Sequence, residues 1–120
     1  MASKELNCLQ KRDLLNRAGV NPGEITQWAA RFEDEGLVND AADFFHKAED
    51  VSGLERLLEG ARAEGDAFLF RRINHLLGRK ASEGEWLEIS KRARELGKNA
   101  FAEQAAAMAG VDEGAAPSDA

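Results

Sequence analysis

The sequence predicts an all-α protein, and three observations carry that prediction. Apolar residues recur at i, i+3, i+4 and i+7 in one stretch after another, the spacing of helices that bury one face. Single glycines stand where those stretches stop, and the chain holds only two prolines. No run of alternating β-branched residues is present to build a strand.

The elements follow in order. A first helix is expected over Ser3 to Ala18, with Leu6, Leu9, Leu14, Leu15 and Ala18 as an imperfect stripe and Gly19 as its stop. Asn21-Pro22-Gly23-Glu24 opens the second: Asn21 can cap, Pro22 suits the first position, and Glu24 can reach back. Ile25, Trp28, Ala29 and Phe32 form its stripe, and Gly36 ends it. Asn39 is expected to cap the third helix, whose stripe is Ala41, Phe44, Phe45 and Ala48, and Phe45 is expected to face Trp28 and Phe32. Ser52-Gly53-Leu54-Glu55 reads as a capping box for the fourth, with Leu54, Leu57, Leu58 and Ala61 inward and Gly65 closing. Asp66 caps the fifth, Ala67 to Leu77, before Gly78; Ser82-Glu83-Gly84-Glu85 boxes the sixth, with Trp86, Ile89, Ala93 and Leu96 inward and Gly97 closing. Asn99 is expected to cap a seventh that ends near Gly110. Residues 1–110 are expected to form one helical domain, with a disordered tail over 111–120.

Composition narrows the function. No apolar run approaches the roughly 18 residues of a membrane span, and the first residues lack the apolar core of a signal peptide, so a cytoplasmic protein without membrane contact is expected. Cys8 is the single cysteine, which excludes an internal disulfide and a cysteine-cluster metal site; it reads as a half-buried small apolar residue. His46 and His75 have no neighbouring ligands, and His46 reads as a surface residue. Glu33-Asp34-Glu35 reads as a solvated helix end, since it lacks the glycine-broken ligand order of a calcium loop. The glycines form no phosphate loop. No cofactor, metal or catalytic set is therefore expected.

The net charge of −6 hides a polarity: residues 21–66 carry twelve acids and four bases, a net of −8, and residues 67–100 carry eight bases and four acids, a net of +4. The basic set is Arg71, Arg72, Arg79, Lys80, Lys91, Arg92, Arg94 and Lys98, interleaved with Glu83, Glu85, Glu88 and Glu95. A nucleic-acid interface on the basic face of residues 71–98 is the alternative function these cations suggest. On the fifth helix, Leu69, Phe70, Ile73, Leu76 and Leu77 make a broad stripe. Phe68 falls outside it, on the side of Arg72 and His75, so Phe68, Arg72, His75 and Arg79 form a secondary candidate patch for a partner.

A repeat frame runs through the chain. Ile25, Leu54 and Trp86 each stand eleven residues before a glycine, Gly36, Gly65 and Gly97, and these starts lie 29 and 32 residues apart. A period in that range marks a helical repeat array. The stretch Pro22 to Gly110 resembles the tetratricopeptide-repeat family. The frame of large residue, aliphatic-small pair, aromatic and glycine turn matches in the first hairpin. Ala41, Phe45 and Ala48 match its second helix, and Ala102, Ala106 and Ala109 match loosely; the middle hairpin departs, with Phe70, Asn74 and Leu77. The resemblance implies a short α-solenoid of about seven helices stacked as antiparallel hairpins, about 22–50, 53–78 and 82–110, with the first helix as a cap. It also implies a non-catalytic module that holds a peptide or helix of a partner protein in a groove lined by the first helix of each hairpin. The groove residues would be Thr26, Gln27, Ala30, Glu33 and Asp34, then Glu55, Arg56, Glu59 and Arg62, then Leu87, Glu88, Lys91 and Arg94. The Lys and Asn with which chaperone-binding members clamp a terminal carboxylate are replaced by Thr26 and Ala30.

Overall fold

The computed structural model describes residues 6–112 and contains seven helices and no strand among them. They are α1 (Cys8–Asn16), α2 (Pro22–Asp34), α3 (Val38–Lys47), α4 (Val51–Glu64), α5 (Ala67–Leu76), α6 (Glu83–Glu95) and α7 (Asn99–Asp112). None of them is long and apolar enough to cross a membrane. The packing divides the chain into two compact units at Gly53 and Leu54, a boundary that falls inside α4.

Helix ends follow local chemistry. Asn7 caps α1 in a reciprocal box with Gln10, so the helix begins at Cys8 instead of Ser3, and it stops at Asn16, short of Ala18. Cys8, on that first turn, is exposed. Asn21 accepts from the Gly23 amide, and Pro22 begins α2 as expected, but the reciprocal bond from Glu24 is not formed. Gly36 takes φ +79°, and the amides of Gly36 and Leu37 return to the carbonyls of Glu33 and Phe32. That return leaves Leu37 in the capping position of α3, two residues ahead of the expected Asn39, and without a side-chain cap. At the end of α3 the left-handed position falls on Glu49, φ +59°, where the other such turns use glycine. Asp50 then accepts from the Gly53 amide at 3.1 Å and opens α4 in place of the Ser52 box. Asp66 and the Ser82–Glu85 box cap α5 and α6 as the sequence predicts.

In the first unit α2 packs on α3. Ile25, Ala29 and Phe32 meet Ala41, Ala42, Phe44 and Phe45, all buried. The ring that meets Phe32 is that of Phe44, edge-on with centroids 5.1 Å apart; the expected partner was Phe45. Successive residues on a helix point about 100° apart, so the neighbouring phenylalanines serve different contacts. The Phe45 ring lies on Gly53, where a Cβ would stand 2.4 Å from Cδ1. Gly53 is therefore there to admit the ring, and its expected place in a capping box was incidental. Lys11 of α1 pairs with Asp40 of α3 at 2.7 Å and lies over the Phe32 ring.

In the second unit α6 packs along α7, and α5 contacts both. Phe70 meets Trp86 edge-on at 5.0 Å, and the Arg62 guanidinium lies 5.4 Å from the Phe70 centroid. The stripe of Leu54, Leu57, Leu58 and Ala61 is buried as expected, as are Trp86, Ile89 and Ala93; Leu96, at the C-cap of α6, is exposed. On α7 the buried alanines are 102, 105 and 109, so Ala105 replaces the expected Ala106, which faces solvent. Ser90 donates to the Ala102 carbonyl at 2.9 Å, and Asn74 Nδ2 to the Phe70 carbonyl at 2.9 Å, so both polar residues buried among the described ones have a partner. Val111 and Asp112, expected in a disordered tail, continue α7, and the rest of that expected tail lies outside the described residues.

Candidate binding surfaces

Helix α1 is held by little apolar surface: Leu14 is its one buried residue, and Leu9 is 71 % exposed. The helix leaves a cleft of about 450 Å³ beside α2. Leu6, Leu9, Leu14 and Trp28 make its apolar wall, and Gln10, Asp13, Arg17 and Glu24 its polar rim. Asp13 and Arg17 pair with each other across one turn. A smaller hollow of about 140 Å³ is lined by Lys11, Arg31, Phe32, Glu35 and Leu37, with Leu6 and Trp28 common to both. Trp28, half-buried, thus lines both recesses. Arg31 lies over the Trp28 ring at 5.2 Å, and its Nε reaches Glu35 at 3.4 Å. Its Nη2 is buried, and no acceptor among the described residues reaches it. An unmet buried donor costs about 1–3 kcal/mol, and an acceptor arriving in the hollow would recover it.

The expected groove residues divide by what they already hold. On α2, Thr26 and Glu33 are half-buried, Gln27 and Asp34 exposed, and Glu33 is engaged within the fold. On α4, Glu55 pairs with Arg79 at 2.5 Å, and Glu59 with Arg62 at 3.5 Å. Arg62 also pairs with Glu85 at 2.7 Å and covers Phe70; it is a structural side chain that joins α4, α5 and α6. On α6, Leu87 is 50 % exposed, and Lys91 and Arg94 are exposed and make no ion pair among the described residues. Leu87, Lys91 and Arg94 share one face at i, i+4 and i+7 and remain open to a partner.

The secondary patch divides in the same way. Phe68 is 56 % exposed, as its place outside the α5 stripe predicts, and His75 is exposed. Arg72 is half-buried and engaged within the fold, and Arg79 is held by Glu55. The basic face is also partly consumed. Arg92 Nε donates to the Ala63 carbonyl at 2.7 Å, and Lys98 Nζ to the Glu64 carbonyl at 2.8 Å. Both satisfy the carbonyl end of α4, where the helix dipole favours a cation.

The cleft at Trp28 was absent from the expected sites, although each of its apolar residues is in a stripe. The available signal was the breadth of the α1 pattern. At 100° per residue Leu6, Leu9, Leu14 and Leu15 spread over about 240° of the helix circumference, more apolar arc than a single neighbour covers. No protein-family model matches the chain, and no curated protein or solved structure matches it.

Proposed function

We propose that the protein is a non-catalytic interaction module that binds a peptide or helix of a partner protein. The observation that supports this reading is the pair of recesses that Trp28 lines. At about 450 Å³ the larger lies within the roughly 300–1,000 Å³ range of clefts that take small ligands or side-chain anchors. A segment fits it by placing apolar side chains against Trp28 and offering a carbonyl or carboxylate to Arg31. Its flanks should be basic, because Glu33, Asp34 and Glu35 end α2 nearby; charge of this kind sets orientation and encounter rate more than affinity. The architecture that goes with this proposal is the three-hairpin frame of the tetratricopeptide resemblance. Nucleic acid binding has less support, since Arg79, Arg92 and Lys98 are spent inside the second unit.

The test is a peptide-display selection on the wild-type protein, followed by affinity measurements with Leu9→Asp. Leu9 is mostly exposed, so the variant should keep its stability within about 0.5 kcal/mol, and the selected peptides should lose at least tenfold in affinity. Selected peptides that bind Leu9→Asp as well as wild type would place the interaction elsewhere. Tight binding to RNA or DNA that weakens steeply with salt would instead favour the nucleic-acid reading.

A further inference from the structure

One face of α1 lines the Trp28 cleft from end to end. Leu6, Leu9, Gln10, Asp13, Leu14 and Arg17 recur at steps of three and four residues, the spacing of a single helical stripe. From Leu6 to Arg17 the stripe runs about 16 Å, roughly three turns at 1.5 Å a residue. The facing wall is shorter: α2 supplies Glu24 and Trp28, one turn apart. Leu14 is buried and Trp28 half-buried, while Leu9 is exposed. The leucines of α1 spread over more arc than one neighbour covers, and the cleft lies where a second neighbour belongs. Asp13, Arg17 and Glu24 stand toward the connection between the two helices, on the last turn of α1, at its C-cap and on the first turn of α2. Two carboxylates against one guanidinium make that end of the cleft acidic.

We infer that the cleft takes an amphipathic helix of about three turns from a partner protein, apolar along one stripe and basic at one end. This rests on the reading of the cleft as a peptide site and narrows it. The walls decide the backbone of the ligand. Inside α1 and α2 the N–H and C=O groups are bonded to the next turn, so these walls present side chains and no strand edge. An extended segment would lay its own backbone groups on Leu6, Leu9 and Trp28 and lose their water without replacement. A helix satisfies its backbone internally and brings only its stripe. Seated about 8–10 Å from the axis of α1, it can mesh apolar residues at i, i+3 or i+4, and i+7 with Leu6, Leu9, Leu14 and Trp28. A lysine or arginine at the end beside Asp13 and Glu24 meets charge of opposite sign, which fixes the direction of the helix and speeds its arrival.

The probe is a synthetic peptide of about fourteen residues on an alanine–glutamine frame, with leucines at alternating steps of three and four and lysines at one end. Free in water a helix this short is marginal, so its ordering on binding is measurable in the carbon-13 shifts of the labelled peptide. The chain has two tryptophans, Trp28 and Trp86, so each gives its own indole N–H signal in a proton–nitrogen spectrum. The inference expects the Trp28 indole to move and saturate, the Trp86 indole to stay still, and the probe to become helical. A central proline in the probe, or the same leucines scattered round the helix, should weaken binding at least tenfold. Glutamates in place of the terminal lysines should weaken it about threefold, and Glu24→Gln, at an exposed position, should narrow that difference. The inference fails if display-selected peptides move Trp28 and the probe does not, if those peptides bind there with an extended backbone, or if the proline form binds as tightly as its parent. In each of these cases the peptide site itself stands. If neither the selected peptides nor the probe moves Trp28, the reading of the cleft as a peptide site falls, and the inference with it.

Discussion

The two units hold short helices together by different means. In the first, aromatic rings do most of it: Phe44 against Phe32, and Phe45 against Gly53. In the second, polar groups stitch helix ends to neighbouring helices. Arg92 and Lys98 satisfy the end of α4, Arg62 joins α4 to Glu85, and Ser90 ties α6 to α7. The aromatic solution leaves apolar surface over, at Leu9, Leu37 and the exposed part of Trp28. The stitched solution consumes charge, and much of what looked like a nucleic-acid face is consumed this way. The difference teaches that a side chain's type says less about function than whether the fold has already used it.

The largest effect expected is at the ring contact of the first unit. Phe44→Ala should cost about 3–5 kcal/mol, as for other fully buried aromatics. A thermal midpoint close to wild type would show that the first unit does not depend on its rings, and the contrast would fail.

The second effect compares the two glycines that admit a close neighbour. At Gly65, φ is +63° and a Cβ would stand 2.6 Å from the backbone nitrogen of Ala93. Gly65→Ala meets both left-handed strain of about 1–2 kcal/mol and overpacking of about 1–3 kcal/mol, with a backbone that cannot step aside. Gly53→Ala meets only the Phe45 ring and gains about 1 kcal/mol in helix propensity, so its net cost should be smaller, about 2 kcal/mol or less. Denaturation of the two variants side by side sharpens the comparison. Phe45→Leu should make Gly53→Ala cheaper in a double-mutant cycle, because the two residues share one space. Equal costs for the two glycines would mean that the Ala93 backbone yields as readily as the Phe45 ring.

The smallest effect is a gain. Glu49 occupies the left-handed turn that glycine fills at five other positions, φ +59° against +63° to +79°. Glu49→Gly should stabilise the protein by about 0.5–1 kcal/mol. A loss on chemical denaturation would mean that the Glu49 side chain holds something the turn geometry does not reveal.

The fold was legible where the signal is local. Asp66 and Ser82 cap the helices they were expected to cap, and the glycines at 36, 65 and 97 stop three helices in the conformation that only glycine takes readily. Ile25, Leu54 and Trp86, the starts of the repeat frame, are all buried. What was not legible depends on neighbours. Phe44 and Phe45 are equivalent in a stripe, and only the rotation of α3 against α2 decides which meets Phe32. α3 starts at Val38 directly after the turn at Gly36, with Leu37 at its N-cap and no side-chain cap, so none could be read. The site was less legible than the fold. Periodicity marks Leu9 and Trp28 as apolar, but exposure depends on what covers them. Charge marks Arg62, Arg79 and Arg92 as candidates for a partner, but their acceptors sit 23 to 29 residues away in sequence or at a backbone carbonyl. Phe68 is the exception, because falling outside a broad stripe is itself a statement of exposure.

The central claim is that the first unit's uncovered apolar surface at Trp28 is a binding site. The direct measurement is a proton–nitrogen spectrum of the protein titrated with a peptide from the display selection, watching the two indole signals. The account predicts that the Trp28 indole shifts and saturates while the Trp86 indole stays in place, and that Leu9→Asp abolishes the shift without changing the rest of the spectrum beyond its own neighbours. A selected peptide that binds and leaves the Trp28 signal where it was would contradict the account.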